Sequence, residues 1–580
     1  MLHPTLTEDG LWGVVPVGED RWRFRLWAPN AATMSLHLDD RRLPMDKRAG
    51  GWFEATAAAP AGESYGFERD GDGKVHPDPA ARAQAGGVFA RSLLVETPRH
   101  GDEAGWVGRP FEEAVIVEIH VGTFTAEGTL AAAARELPRL AALGVTSVEL
   151  MPVNQFPGAR GWGYDGVLIH AVHPAYGSPQ DLADFVDAAH RLGVMVLLDV
   201  VYNHFGPEGN ALSSLCPAFF DASRHTPWGA AIAFERPQVR AFFLQNAAMW
   251  VAEYGVDGLR LDAVHQIGPP GSTDFIEELA DRVAALDLGR PVHLVAEDER
   301  NLARYTGPGG KLAAQWNDDW HHAVHCLLTG EAQSYYRPFS ADPLADLVTA
   351  LAEGQVDQGQ PRPFGHPPRG EPSGHLPPTA FVNSCQTHDQ VGNRALGERL
   401  ITLADPEAVR VFHAVLLLSP FVPMLFMGEE EGARAPFLFF TDFHGELAEA
   451  VRRGRRSEFP EFADHPGDIP DPNDPATFAA SRPYAAPAED AESWRLLTRA
   501  LIEKRMRHVV PLLKSGWLRS TAERTGPASL AASWEFEAGT LDLRLTLDGP
   551  LPAPPAGAEE IARIGQDDGV AVWIGRRGRT

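Results

Sequence analysis

Apolar and polar residues keep one rhythm along the first part of the chain and change to another near residue 115. In Trp22-Arg23-Phe24-Arg25-Leu26-Trp27 and in Ser35-Leu36-His37-Leu38 they alternate, the period of a strand with one buried face. Turn residues separate these runs at Pro29-Asn30, Asp39-Asp40 and Asp70-Gly71-Asp72-Gly73, and Trp52-Phe53 and Tyr65-Gly66-Phe67 add further short strands. This predicts a small N-terminal β-sandwich over residues 1–95, then a connecting segment over 96–113. From 115 onward, almost wholly apolar runs alternate with helical stretches, as expected of parallel strands covered on both faces. Strands are predicted at 115–120, 146–152, 194–200, 258–262, 293–296, 313–316, 380–384 and 424–427. A helix over 129–143 carries Leu130, Leu137, Leu140 and Leu143 on one side, and Ser178-Pro179 opens another with a capping side chain and a first-turn proline. Eight strands in this order predict an α/β fold, a (β/α)8 TIM barrel, over 114–514. Insertions are expected at about 203–237 and 354–378. A basic amphipathic helix is predicted over 499–514, and a second small β domain over 515–580, where Leu541-Asp542-Leu543-Arg544-Leu545 alternates again.

Composition narrows the function classes. The chain has 580 residues and a formal net charge of −27. That balance disfavours nucleic acid or an anionic membrane as the main partner and suits a neutral substrate. Cys216, Cys326 and Cys385 are too few and too scattered for a disulfide framework or a zinc site. Residues 1–10 lack the basic start and apolar run of a signal peptide. The apolar stretch 411–427, broken by His413, Pro420 and Pro423, predicts a buried helix end and a buried strand, not a membrane span. A cytoplasmic location is the expectation.

Reactive side chains of a parallel barrel sit at the carboxyl ends of its strands. The third predicted strand ends in Asp199, with Tyr202, Asn203 and His204 following; the fourth in Arg260 and Asp262; the fifth in Glu297; the seventh leads to His388-Asp389. Four carboxylates, one arginine and two histidines thus converge on one rim. Arg260 and Asp262, two residues apart on a strand, point to the same face. Aromatic residues able to stack on a pyranose ring follow the second strand, in Trp162-Gly163-Tyr164-Asp165, and the sixth, at Trp316 and Trp320. The two tryptophans are either substrate platforms or core packing. No calcium-loop spacing is present, so neither a metal nor another cofactor is assigned.

These four blocks, in this order and at strand ends, resemble the signature segments of the α-amylase superfamily. The resemblance implies a retaining glycosidase, whose two carboxyl groups stand about 5–5.5 Å apart. It implies Asp262 as nucleophile, Glu297 as acid/base and Asp389 as the group that holds sugar hydroxyls and helps distort the ring. It further implies sugar contacts from Tyr164, His204 and His388. Arg260 would keep the Asp262 carboxylate charged, Asn203 would support the rim, and Asp199 would either support it or touch sugar. More specific blocks are similar to the maltooligosyltrehalose trehalohydrolase family: WGYDGV at 162–167, AEDERN at 296–301, NDDWHH at 317–322, HDQVGNRALGER at 388–399, FLFFTDF at 437–443 and IPDPNDPATF at 469–478. Membership implies release of trehalose from a maltooligosyltrehalose substrate supplied by a maltooligosyltrehalose synthase. Two positions depart from the expected pattern, Thr387 in place of Asn and Glu431 in place of an aromatic residue. The latter departure implies a lost stacking face near the substrate. The competing readings are a glucan-branching enzyme, a debranching α-1,6 hydrolase, and a non-catalytic glucan-binding barrel.

Overall fold

The computed structural model describes residues 11–100, 105–226, 228–268, 274–307, 309–459, 469–566 and 569–578. The segment read for a signal peptide, 1–10, lies outside them. The N-terminal strands form two four-stranded antiparallel sheets. One is ordered Gly13–Gly18, Arg21–Trp27, Trp52–Ala58, Asp46–Lys47, and the other Arg41–Pro44, Met34–Leu38, Ser64–Arg69, Ser92–Leu93. Phe24, Leu26, Leu36 and Phe67 fill the space between them. Trp12 fastens this sandwich to the next domain. Its backbone exchanges two 2.9 Å hydrogen bonds with the Gln245 side chain, and its ring lies edge-on to Phe242 and Phe219.

The central domain is a closed barrel of eight parallel strands. They are β1 (Ile116–Ile119), β2 (Ser147–Leu150), β3 (Met195–Val200), β4 (Gly258–Leu261), β5 (His293–Ala296), β6 (Ala314–Trp316), β7 (Phe381–Ser384) and β8 (Val422–Phe426). All eight predicted strands are present, offset by at most two residues at either end. The barrel closes where β8 pairs with β1, Met424 opposite Ile116 and Phe426 opposite Glu118. The helix after β1, Leu130–Leu143, starts at the Thr129 cap and stops at Gly144, which takes the left-handed conformation. The helix Pro179–Arg191 opens on the predicted Ser178, which forms a full capping box with Asp181.

The first predicted insertion folds as a short helix, Leu212–Leu215, and a hairpin of Phe220–Thr226 with Gly229–Ile232. The second is irregular and is pinned by charge. Asp319 accepts from the backbone N–H groups of Val356 (2.8 Å) and Asp357 (2.7 Å), and Arg369 bridges Asp319 and Asp357. Arg362 ties Asp357 to Asp346, both at short range.

The predicted helix 499–514 begins earlier. It runs as Ala491–Lys504, passes through a wider π turn at Arg505–Val509 and ends as Val510–Lys514. The first two turns carry a mostly polar face that hid them from the pattern, while Trp494 packs inward. Arg505, fully buried, donates to the carbonyls of Leu417, Ser419 and Phe421 at the end of the neighbouring helix. A five-stranded antiparallel sheet follows, ordered Trp517–Gly526, Ser529–Phe536, Gly539–Thr546, Ala571–Arg577, Glu559–Gly565. Among the described residues no helix is long and apolar enough to cross a membrane, and no cluster of three His, Cys, Asp or Glu side chains is arranged to hold a metal ion.

Candidate active site

The carboxyl ends of β3, β4, β5 and β7 bring the predicted acids to one place, organised by a single guanidinium. Arg260, fully buried on β4, donates from Nη1 to Asp199 Oδ2 and to Asp262 Oδ1, both at 2.7 Å, and places Nη2 3.3 Å from Glu297 Oε2. Its face lies over the indole of Trp316, 4.1 Å from the ring centre. Just after Asp262 the chain makes a rare turn. Ala263 is left-handed, with φ of 42°, and its N–H donates to Glu297 Oε2 at 2.6 Å. A non-glycine residue held in that region stores strain, which the surrounding contacts sustain. Asn203 spans the gap from the other side, donating to Asp262 Oδ2 (2.7 Å) and to its carbonyl (3.1 Å). Its own Oδ1 lies 2.5 Å from His204 Nδ1.

Glu297 is half-buried at the mouth. Burial pushes its pKa well above the usual carboxylate range; Arg260 opposes that shift, while the negative charges of Asp262, Asp389 and Asp318 reinforce it. Asp389, at the start of the short helix His388–Gly392, is the most open of the acids, with a side chain 43% exposed. Tyr164 donates its hydroxyl proton to Asp199 Oδ2 at 2.5 Å and stacks its ring on the His388 imidazole, with centroids 5.1 Å apart. Gly163 makes this presentation possible. Its φ is 102°, and a Cβ there would stand 2.2 Å from the Pro152 carbonyl oxygen.

The structure sorts the remaining predicted contacts. Trp320 is a correction: it is fully buried in the core, tilted against Phe421, because it sits one turn into a helix whose inner face packs on the barrel. It offers no face to a sugar. Trp316 is buried as well, and its upper face is taken by Arg260. Asp199, Arg260 and Asn203 lie beneath the carboxyls as a supporting network. His204 packs its ring flat on Trp228, an exposed side chain of the insertion hairpin, at 4.1 Å. Sequence reasoning missed Trp228, Asp318 and the two buried glutamates Glu118 and Glu149. Each glutamate was visible as the lone charge in an apolar strand.

Residues 77–215 match the family model described as "Alpha amylase, catalytic domain", and residues 11–81 match "Carbohydrate-binding module 48 (Isoamylase N-terminal domain)". The malto-oligosyltrehalose trehalohydrolase of Rhizobium sp. (strain M-11) is 40% identical over 95% of this chain and 96% of its own length. The chain belongs to the malto-oligosyltrehalose trehalohydrolase family. A crystal structure titled as a putative alpha amylase from Salmonella typhimurium is 44% identical, covers 98% of this chain and 99% of its own, and superimposes with a TM-score of 0.91. A 1,4-alpha-glucan branching enzyme of Xanthomonas campestris is 32% identical, over only 53% of this chain and 49% of its own.

Both departures from the trehalohydrolase pattern have a structural account. Thr387 caps the helix that carries Asp389, accepting from the Asp389 N–H at 3.2 Å and closing a capping box with Gln390. Glu431 does not face the substrate rim, contrary to the expectation of a lost stacking face there. Its carboxylate is bonded to Arg139 (2.8 Å) and Arg495 (2.6 Å), outside the barrel between two helices.

Proposed function

We propose that this chain hydrolyses the α-1,4-glucosidic bond next to the terminal trehalose unit of maltooligosyltrehalose, by double displacement with retention. The observation that carries the mechanism is that Asp262 and Glu297 share one buried guanidinium at the mouth of the barrel. In the first step a carboxylate oxygen of Asp262 attacks the anomeric carbon of the glucan. The bond to the glycosidic oxygen breaks, Glu297 gives that oxygen its proton, and trehalose departs. The raised proton affinity of Glu297 favours the protonated acid that this step needs. In the second step water attacks the same carbon, the Glu297 carboxylate takes the water's proton, and the Asp262 ester bond breaks. Asp389, held next to His388, is positioned to bind hydroxyls of the reacting sugar, and Tyr164 offers the ring face not occupied by His388.

This activity requires an upstream synthase that caps maltooligosaccharides with trehalose. A cytoplasmic location is part of the same proposal and is supported by three buried, unpaired thiols. The test is product analysis. The chain is incubated with a trehalose-capped maltooligosaccharide and, separately, with amylose. Free trehalose from the first, with the new reducing end born as the α-anomer, is the expected result. New α-1,6 branches in amylose would favour a branching enzyme instead.

A further inference from the structure

Glu118 and His388 meet in the barrel interior although 270 residues separate them. Both side chains are 1% exposed. Glu118 Oε2 accepts the backbone N–H of His388 at 3.0 Å, and Oε1 bonds directly to the imidazole Nδ1. The opposite ring nitrogen, Nε2, faces Asp389 Oδ1 at 3.5 Å. The imidazole thus has a carboxylate on each side. A neutral imidazole carries one N–H, and an ionised carboxylate only accepts, so a neutral ring could satisfy one of these two contacts. A doubly protonated ring bonds to Glu118 and turns a second N–H and a positive charge toward Asp389.

We infer that Glu118 is a positioning residue that holds His388 as an imidazolium, which in turn orients and counters the charge of Asp389. This deepens the trehalose-releasing reading given above and rests on it for the role of Asp389. The charge balance around the ring points the same way. From β1 it faces Glu118 and the neutral His120, whose proton affinity burial lowers to about 3. Glu149 on β2, Asp199 on β3 and Arg260 on β4 also act on it, with Asp389 beside it on the same helix. Among these named groups Arg260 is the one fixed cation, and it is already shared by Asp199, Asp262 and Glu297. Burial alone would discharge His388, but the attraction of Glu118 and then Asp389 outweighs it and carries the ring up to about 9. The Trp162 and Tyr164 rings close the remaining sides and keep water from screening the pair.

Neutron diffraction from deuterated wild-type crystals near pH 7 tests this without reference to activity. Deuterium on both Nδ1 and Nε2 of His388, and none on Glu118, is expected. Deuterium on Glu118 with a singly protonated ring would overturn the inference, whether or not trehalose is released. Glu118→Gln gives a second readout. Its kcat/KM should fall about twofold more at pH 8 than at pH 6 relative to wild type, because a proton affinity about tenfold weaker empties about half the rings of their second proton at pH 8 and almost none at pH 6. A loss equal at both pH values would mean that Glu118 only packs the barrel. If the variant does not fold, the neutron result on the wild type decides.

Discussion

Two clusters of acidic residues lie on the same side of the barrel and behave in opposite ways. Around the loop before β7, Asp319, Asp346 and Asp357 are matched by Arg362 and Arg369, and Asp319 also accepts the backbone N–H groups of Val356 and Asp357. At the strand ends, Asp199, Asp262 and Glu297 share Arg260 alone, with Asp389 close by. The first cluster resembles a fastening, in which two guanidiniums serve three carboxylates and each carboxylate has at least one of them. The second leaves negative charge uncompensated in a low-dielectric site, where one member has to keep its proton. A shortage of cations is therefore what separates a reactive cluster from a structural one here.

The comparison is broken most directly at the strand ends. Asp262→Asn and Glu297→Gln should each lower kcat about a thousandfold, within the range for loss of a proton-transfer group or nucleophile. Trehalose release measures the rate, and an unchanged thermal unfolding midpoint shows that the fold survives. Full turnover in either variant would remove that residue from the chemistry. The matched cluster should respond in the reverse way. Asp357→Asn leaves Arg362 and Arg369 without their shared partner and should cost about 3 kcal/mol of stability, the scale for a broken buried pair. Its kcat should stay within a few-fold of wild type. A variant that unfolds normally but turns over a hundred times more slowly would erase the distinction between the two clusters.

A smaller effect concerns Glu149, buried on β2 with neither oxygen bonded to the protein. Burial, and next the charges of Glu118 and Asp199, raise its pKa well above that of a free glutamate. A group whose proton affinity rises on folding contributes stability below its unfolded pKa and loses it as pH climbs through the folded one. Wild type should therefore lose thermal stability as pH rises above the ordinary glutamate range, and Glu149→Gln should flatten that slope. Parallel slopes would show that Glu149 does not titrate there. The smallest change is Thr387→Ala, which removes a helix cap worth about 1 kcal/mol. It should lower the melting temperature by only about one degree while raising KM more than it lowers kcat, since the capped helix carries Asp389.

Much of this was legible in the chain. The eight barrel strands are fully buried, so their residues form apolar runs that need no partner to be seen. Asp262 and Glu297 stand where those runs stop and Asp389 follows shortly after one, and the resemblance to the α-amylase superfamily singles the three out. The inward-facing polar layer was not legible in the same way. Glu118 sits in the apolar strand Ile116–Ile119 and pairs with a histidine distant in sequence; only the barrel's register brings them together. The same limit applies to Trp316 and Trp320, four residues apart. One ends a strand beneath Arg260 and the other turns into the core, and the spacing fits either outcome. The loop over 354–378 has no hydrophobic period to read, because its order comes from long-range ion pairs.

The hydrogen-bonded seam between β8 and β1 has a bearing on biosynthesis. Glu118 lies on the first barrel strand to leave the ribosome, yet the wall behind it is completed only by residues 422–426. A nascent chain ending short of that point has two open sheet edges and a half-built pocket, a state prone to sticking to others. Turnover by this protein therefore reports more than intact carboxylates: it certifies that translation reached, and folding joined, the two extremities of a circle.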